Sequence, residues 1–178
     1  MTKRSKWFLV AFLASFPLDQ ITKYAILANF YYGERLVLIP GVFDLTYVRN
    51  PGGAFSFFAS GAYEWRMLFF VGSTVLSVIL LLVFLFRHDP NARLSPMALG
   101  LIMGGAIGNL ADRLIHGEVI DFLDVHLWGG YTWPTFNVAD STIVVGVALM
   151  IIEVFFFDTG DSSAESETRE PAGASSDH

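Results

Sequence analysis

One long run without charge limits how this chain can fold more than any other feature. From Met67 to Phe86 the sequence reads MLFFVGSTVLSVILLLVFLF, with no ionisable side chain. A helix of about 20 apolar residues is long enough to cross the hydrocarbon core of a bilayer. Three further intervals have comparable length and polarity, so the predicted spans are residues 7–30, 65–86, 94–115 and 138–157. The sequence therefore predicts an all-α membrane protein with four transmembrane helices.

The composition agrees with that class. Hydrophobic residues make up 53% of the 178 residues and charged residues 16%, whereas soluble domains carry about 25% charged residues. The absence of cysteine excludes disulfides, thiolate nucleophiles and cysteine metal sites. Much of the net charge of −6 comes from residues 158–178, where six acidic residues stand against one basic residue. We expect a disordered acidic tail there and no nucleic-acid partner.

Basic residues near the spans predict the orientation, because Lys and Arg concentrate on the cytoplasmic side of membrane proteins. Five precede the first span or occupy the connection between the second and third: Lys3, Arg4, Lys6, Arg87 and Arg93. The first outer loop contains Arg35 and Arg49, with Arg66 at its far edge, and residues 117–137 contain neither Lys nor Arg. We therefore expect both termini and the tail in the cytoplasm, with outer loops at residues 31–64 and 116–137. The KRSK start resembles a cleaved signal peptide, but the length of the first span favours a retained helix.

The first outer loop contains RLVLIPGVFDLTYVRN, which begins at Arg35. Its β-branched and aromatic residues are interrupted by Pro40 and Gly41, a pattern typical of two strands joined by a turn. We expect a small β-hairpin that lies on the membrane surface between the first two helices.

Two ionisable residues lie inside the first span. Asp19 and Lys23 are four residues apart and so share one face of a helix. They could form a structural ion pair, which lowers the cost of both charges. They could also line a functional site, because ionisable groups within spans are expensive and usually face a functional interior.

The third span combines a small-residue face with a polar stripe. Gly100, Gly104 and Gly108 recur every four residues, a spacing that favours close helix packing. Gly105 widens this bare face and could let a substrate backbone approach. The stripe follows at spacings of three and four: Asn109, Asp112, Arg113 and His116. His116 follows the end of the predicted span, where the helix leaves the membrane for water. Asn109 and Asp112 lie a turn or more before that end, within the span.

Two carboxylates adjoin the outer ends of the last two spans. Asp121 stands in VIDFLDV, and Asp140 stands near the start of the fourth span. Two close carboxylates share a proton, so that one can activate water while the other polarises a carbonyl group, as in aspartic proteases. Asp140 could instead cap the fourth helix, although Asn137 could do so as well. Asp112 and Asp124 also compete for places in such a pair.

Other catalytic chemistries lack their signatures. The sequence contains neither H-E-x-x-H nor G-x-S-x-G. Its histidines, His88, His116, His126 and His178, show no ligand spacing. Two non-peptidase functions stay open at this point. A proton-coupled transporter could use Asp19, Lys23 and Asp112 as a relay, and a membrane scaffold would tolerate loss of both Asp121 and Asp140.

Five motifs together resemble a known family, the lipoprotein signal peptidases (signal peptidase II) of bacteria. In chain order they are LDQITK, NPGGAF, GGAIGNLADR, VIDF and FNVAD. The resemblance runs from about residue 7 to residue 157. It implies a monomeric aspartic peptidase of four helices in the cytoplasmic (inner) membrane, with its active site at the periplasmic face and no metal or organic cofactor. The substrate would be a diacylglyceryl-modified prolipoprotein in contact with membrane lipid, cut on the amino side of the lipidated cysteine.

The motif positions imply roles for individual residues. Asp121 and Asp140 correspond to the catalytic pair, called the dyad below, and the hairpin corresponds to a surface cradle. Supporting or substrate-binding positions would be Asp19, Lys23, Asn50, Gly52, Gly105, Asn109, Asp112, Arg113 and Asn137. The resemblance also implies inhibition by lipopeptides of the globomycin type. One departure is Gly53, since the family commonly has N-x-G-A; it bears on loop rigidity and inhibitor fit and leaves the dyad untouched.

Overall fold

The computed structural model describes residues 1–52 and 62–156. These residues form four long helices and one three-stranded antiparallel sheet. In chain order the elements are α1 (Lys3–Asn29), β1 (Arg35–Ile39), β2 (Phe43–Asn50), α2 (Tyr63–Arg87), α3 (Leu94–His116), β3 (Val119–Val125), a short 3-10 turn (Trp128–Gly130) and α4 (Val138–Phe156). The predictions for Gly53, for residue 157 and for the tail at 158–178 lie outside the described residues.

Three of these helices are long and apolar enough to cross a membrane. The most apolar windows of α2, α3 and α4 have mean hydropathies of 2.8, 1.4 and 2.1. Their surroundings differ, because α2 is almost wholly exposed whereas about half of α3 is buried inside the protein. The remaining helix, α1, has 27 residues, about 40 Å at 1.5 Å per residue. That α1 also crosses the membrane stays a prediction.

The central helix is α3, which packs against each of the other three. A Cβ atom at Gly100 would meet the carbonyl oxygen of Phe8 on α1, and one at Gly104 would meet the side chain of Ser15. On the opposite side, Gly146 of α4 lies against Ile102. The predicted use of small residues for close helix packing is therefore confirmed.

The predicted hairpin is present, but it is only part of the sheet. β1 and β2 pair through a turn in which Gly41 adopts φ +72°, a conformation that glycine reaches at little cost. A third strand, β3, pairs with β2 on its other edge and brings Val48 opposite Asp121. The sequence predicts only an outer loop at residues 116–137, and this strand is an addition to that prediction. The strand forms because Ile120 and Phe122 bury their side chains in one core with Tyr47 of β2.

The glycine packing makes a prediction about stability. We expect Gly100→Ala to lower the free energy of unfolding by about 1–3 kcal/mol, because its new methyl group would overlap the α1 backbone. Gly72→Ala is the matched control, since nothing lies within 4 Å of a Cβ atom at that helical glycine. It should raise stability by roughly 0.5–1 kcal/mol. Thermal unfolding in detergent measures both, and shifts of the same sign would contradict this account of the helix contact.

Candidate active site

Strand alternation places Asp121 on the face of β3 opposite the sheet core. Its neighbours Ile120 and Phe122 point into that core, so the intervening side chain points the other way. The carboxylate is 2% exposed. Asn50 donates an amide hydrogen bond to Oδ2 over 3.0 Å, and Asn137 donates one to Oδ1 over 2.7 Å. Asp121 is therefore held on both oxygens by neutral donors.

Asp140 lies in the first turn of α4, where it takes part in a reciprocal cap. The side-chain Oδ1 of Asn137 accepts from the backbone N–H of Asp140 over 3.0 Å. In return, Asp140 Oδ2 accepts from the backbone N–H of Asn137 over 3.2 Å. This is a capping box with Asn137 as the N-cap residue. It leaves Asp140 Oδ1 to accept from Asn109 Nδ2 over 2.8 Å, so capping and a place in the site are compatible.

A short backbone bridge brings the two carboxylates together. Leu123 of β3 pairs with Phe136 just before α4, through N–H to carbonyl bonds of 2.8 and 3.1 Å. The bridge places the start of α4 beside the middle of β3. Asn137 follows directly, and its amide reaches Asp121. The positions of both carboxylates therefore depend on one pairing between the strand and the residue that precedes the last helix.

Asp121 and Asp140 line one pocket of about 620 Å³. The other polar residues around it include Asn50, Asn109 and Arg113. Apolar side chains complete the wall, among them Val48, Val119, Trp133, Phe136, Ile143 and Val144. A pocket of this size with an apolar wall and a few converging polar groups is typical of a ligand or substrate site.

The surroundings of Asp121 change its acidity. Burial, and after it the negative charge of Asp140, raise the pKa of Asp121 to about 7, although Asn50 and Asn137 stabilise the ionised form. Burial and a nearby negative charge both disfavour the ionised form of a carboxyl group. Asp121 therefore binds its proton more tightly than an isolated aspartate does.

A buried ammonium group lies next to this pair. Lys23 is 2% exposed, and its Nζ lies 2.9 Å from Asp19 Oδ2 and 2.8 Å from Asp112 Oδ2. The same Nζ donates to Asn109 Oδ1 over 2.9 Å. The structural ion pair between Asp19 and Lys23 is thus present, and it includes a second carboxylate.

The two carboxylates around Lys23 also bind backbone groups next to the dyad. Asp19 Oδ1 accepts from the N–H of Ala139 over 2.8 Å, one residue before Asp140. Asp112 Oδ2 accepts from the N–H of Ile120 over 3.0 Å, one residue before Asp121. Both carboxylates are therefore engaged in fixing the backbone, and neither is among the residues that line the pocket.

Arg113 connects the loop after β2 to the third helix. Its Nη2 donates to the carbonyl of Gly52 over 2.8 Å, and its Nη1 donates to the carbonyl of Asn109 over 3.3 Å. The guanidinium also lies 4.3 Å from the ring centre of Phe70. Gly52 itself is buried, and its N–H donates to Asn50 Oδ1 over 3.0 Å. Asn50 therefore contacts both this loop and Asp121.

Gly105 lies away from the pocket, against the first turns of α4. A Cβ atom there would meet the carbonyl of Ala139 and the side chains of Thr142 and Ile143. The suggestion that Gly105 lets a substrate backbone approach is not supported, because α4 already occupies that space. Close approach of α3 to α4 is what this glycine permits.

A second polar cluster on the sheet contains Asp124, the other competitor for the dyad. Asp124 lies opposite Asp44 on β2, and Arg35 reaches both carboxylates, with nitrogen–oxygen distances of 2.8 and 2.9 Å. The ligand atoms of Asp44, Asp124 and His126 lie within 4.8 Å of one another and could hold a metal ion. Arg35 already supplies positive charge to both carboxylates there. Asp124 does not line the pocket.

Comparison with known proteins now identifies the family. The family model described as Signal peptidase (SPase) II matches residues 11–156. The chain belongs to the signal peptidase II family. A lipoprotein signal peptidase of Ralstonia nicotianae is 49% identical over 136 residues, 76% of each chain. One from Neisseria meningitidis serogroup B is 42% identical over 153 residues, 86% of this chain and 90% of that one.

Solved structures agree with this assignment. Two structures described as a bacterial membrane enzyme align with a TM-score of 0.74 each. They are 30% and 33% identical to this chain and cover 93% and 84% of it, and 94% and 93% of their own chains. The signal peptidase II resemblance that the five motifs predicted is confirmed.

Sequence reasoning missed one residue that joins the supporting groups. Gln20 Nε2 lies 3.1 Å from Asp19 Oδ2, 3.3 Å from Asp112 Oδ1 and 3.3 Å from the carbonyl of Gly108. It stands inside the signal peptidase II motif LDQITK, next to Asp19. A polar amide in the middle of a predicted span was the available signal.

The ammonium group predicts a stability effect that a charge-balanced variant should reverse. We expect Lys23→Met to lower the free energy of unfolding by about 3–5 kcal/mol, because it leaves Asp19 and Asp112 buried without a cation. Adding Asp19→Asn and Asp112→Asn to Lys23→Met should recover much of this loss, since the buried negative charge is then gone. Thermal unfolding of the three proteins in detergent tests this. A triple variant no more stable than Lys23→Met would contradict the charge argument.

Proposed function

We propose that this protein is a membrane aspartic endopeptidase that removes signal peptides from diacylglyceryl-modified prolipoproteins. The cut falls on the amino side of the lipidated cysteine. Asp121 and Asp140 activate the attacking water, and the reaction needs no metal or organic cofactor. The observation that carries this proposal is the convergence of these two carboxylates on one pocket, with the pKa of Asp121 raised to about 7.

The hydrolysis uses the single proton of the pair. Ionised Asp140 accepts a proton from the attacking water while the oxygen of that water bonds to the scissile carbonyl carbon. Protonated Asp121 donates a hydrogen bond to the carbonyl oxygen, where negative charge develops. The proton gained by Asp140 then passes to the leaving amide nitrogen as the carbon–nitrogen bond breaks. The products are a carboxylic acid on the signal peptide, which then loses its proton to water, and a free amine on the lipidated cysteine.

The position of the pocket suits a substrate held by its lipid. The pocket lies where the sheet meets the ends of α3 and α4, so its carboxylates can reach both a peptide and water. Apolar residues such as Ile143 and Val144 form part of the same wall and can contact acyl chains. Asn109 and Asn137 orient the dyad, and Arg113 positions the loop beside the substrate through Gly52.

We further propose that all four helices cross the bacterial cytoplasmic membrane. The larger number of basic residues at one end of the helices supports cytoplasmic termini, and with that orientation the sheet and the pocket face the periplasm. The enzyme acts as a monomer, and lipopeptides of the globomycin type compete with substrate for the pocket. The sheet lies on the periplasmic surface of the cytoplasmic membrane and supports the substrate there.

The two other functions are less well supported. A proton relay along Asp19, Lys23 and Asp112 would need groups free to exchange protons with water, yet each of these side chains is buried and fixed by a partner. A scaffold would not require two carboxylates in one pocket. Family membership and the pocket geometry therefore both favour hydrolysis.

Conservative changes in the dyad test the proposal directly. We expect Asp121→Asn and Asp140→Asn each to lower kcat/KM by about 10²–10⁴-fold or more, because neither variant can complete the proton transfers. The matched control is Asp124→Asn, on the same strand but outside the pocket, which should keep its activity. Signal-peptide release is measured with purified protein and lipidated precursor, beside unmodified precursor, which we expect to stay uncut. Full activity in either dyad variant would refute the assignment.

The raised pKa of Asp121 predicts a specific pH dependence. As pH rises through about 7, Asp121 loses the shared proton, so kcat/KM should fall on the alkaline side. Because the folded pKa lies above the ordinary value of 3.8, the free energy of unfolding should also decrease between these two pH values. Infrared titration of the carboxylic acid band should give a midpoint near 7. In Asp140→Asn the midpoint should move down, since the neighbouring negative charge is gone; an unmoved midpoint would contradict the coupling.

A further inference from the structure

A second pocket lies at the end of the helical bundle opposite the sheet. It has a volume of about 440 Å³ and runs between α2, α3 and α4. Its lining includes Leu80, Val83, Phe84, Arg87, Leu99 and Met150. From Leu80 to Arg87 the groove extends about 10 Å along α2, at 1.5 Å per residue. We call it the terminal groove.

Arg87 is the charged residue of the terminal groove. It is the last residue of α2, and its side chain is exposed. Within the described part of the chain, its guanidinium makes no hydrogen bond or ion pair. Arg4, nearby, differs because its Nη1 donates to the carbonyls of Phe86 and His88 over 3.1 and 2.7 Å. Arg87 therefore offers an unused cation at the mouth of an apolar groove.

Basic side chains at the same helix ends add to the positive charge of Arg87, whereas Asp89, Glu153 and the acidic residues after α4 carry negative charge there. The other basic residues at the same helix ends include Lys3, Lys6 and Arg93. This is the end that the sequence places in the cytoplasm, where the membrane surface carries anionic lipids. A basic pocket between helices on that side is a typical binding place for anionic lipid head groups.

We propose that the terminal groove binds one anionic phospholipid of the facing leaflet. The phosphate pairs with Arg87, and one acyl chain lies along Leu80, Phe84 and Met150. The groove supplies both parts of the recognition, because the cation selects the head group and the apolar wall holds the chain. This site is separate from the dyad pocket, and the inference does not rest on the peptidase chemistry.

The positive charge at the groove favours an anionic phospholipid over the other apolar molecules that the groove could bind. A signal peptide begins with a basic segment, which Arg87 and its basic neighbours would repel. A second copy of the chain would bring the same cluster of positive charges to the contact. An anionic lipid alone among these combines an apolar chain with the opposite charge.

Lipid titration of the full-length protein tests the proposal. Binding of phosphatidylglycerol and phosphatidylcholine to purified protein in neutral detergent can be followed by native mass spectrometry. We expect wild type to prefer phosphatidylglycerol. Arg87→Gln should weaken that binding about fivefold, as expected for roughly 1 kcal/mol per basic residue near an anionic head group. Arg93→Gln, at the same end but outside the groove, should change it less than about twofold.

A second pair of variants tests the acyl-chain part of the site. Leu80→Trp fills the groove and should weaken binding of phosphatidylglycerol at least as much as Arg87→Gln. Leu82→Trp, on the same helix but outside the groove lining, should leave binding unchanged. Equal affinity of wild type for the two lipids would overturn the proposal, as would equal losses in the two arginine variants. Displacement of the lipid by a synthetic signal peptide would assign the groove to the peptide and would overturn it as well.

Discussion

The active-site region depends on one buried ammonium group. Lys23 lies between Asp19 and Asp112, two carboxylates that could not remain charged in a dry interior without it. Because each carboxylate also accepts a backbone N–H from the segment that carries a dyad residue, the cation links α1 and α3 to α4 and β3. An ion pair buried in this way is worth more for the geometry it fixes than for net stability.

Neutral side-chain amides hold the two carboxylates of the pocket in place. Asn50, Asn109 and Asn137 each donate to a dyad carboxylate. An amide orients a carboxylate without bringing a full positive charge to it, so the pKa of Asp121 stays high. Asn109 connects Lys23 to this pair directly, because it accepts from Lys23 and donates to Asp140. Neutral amide donors therefore orient both carboxylates of the pocket.

The two ends of the bundle differ in the sign and in the burial of their charged side chains. At the sheet end, the carboxylates of Asp121 and Asp140 line one pocket, and burial raises the pKa of Asp121. At the other end, basic side chains such as Lys6, Arg87 and Arg93 lie at the helix ends and are exposed. Lys23 is internal and paired, whereas Arg87 is exposed and available for an external partner. Burial therefore distinguishes the charged groups at the two ends of the bundle.

The sequence by itself determined the helices and the hairpin, because both follow from local patterns. Long apolar runs specify α2, α3 and α4, and β-branched residues around Pro40 and Gly41 specify β1 and β2. The motifs also singled out Asp121, Asp140 and the residues around them. These inferences need only neighbours along the chain.

Only the tertiary structure decided which carboxylates meet. VIDFLDV is buried at five of its seven positions, and its sequence carries no signal for pairing with β2. The bridge between Leu123 and Phe136, which sets Asp121 beside the start of α4, joins residues whose pairing has no local signature. The same holds for Asp112 and Asp124, which the sequence left as competitors and which Lys23 and Arg35 bind elsewhere. Local patterns fix secondary structure, but contacts between distant segments fix the site, because only the folded chain brings their charges within reach of one another.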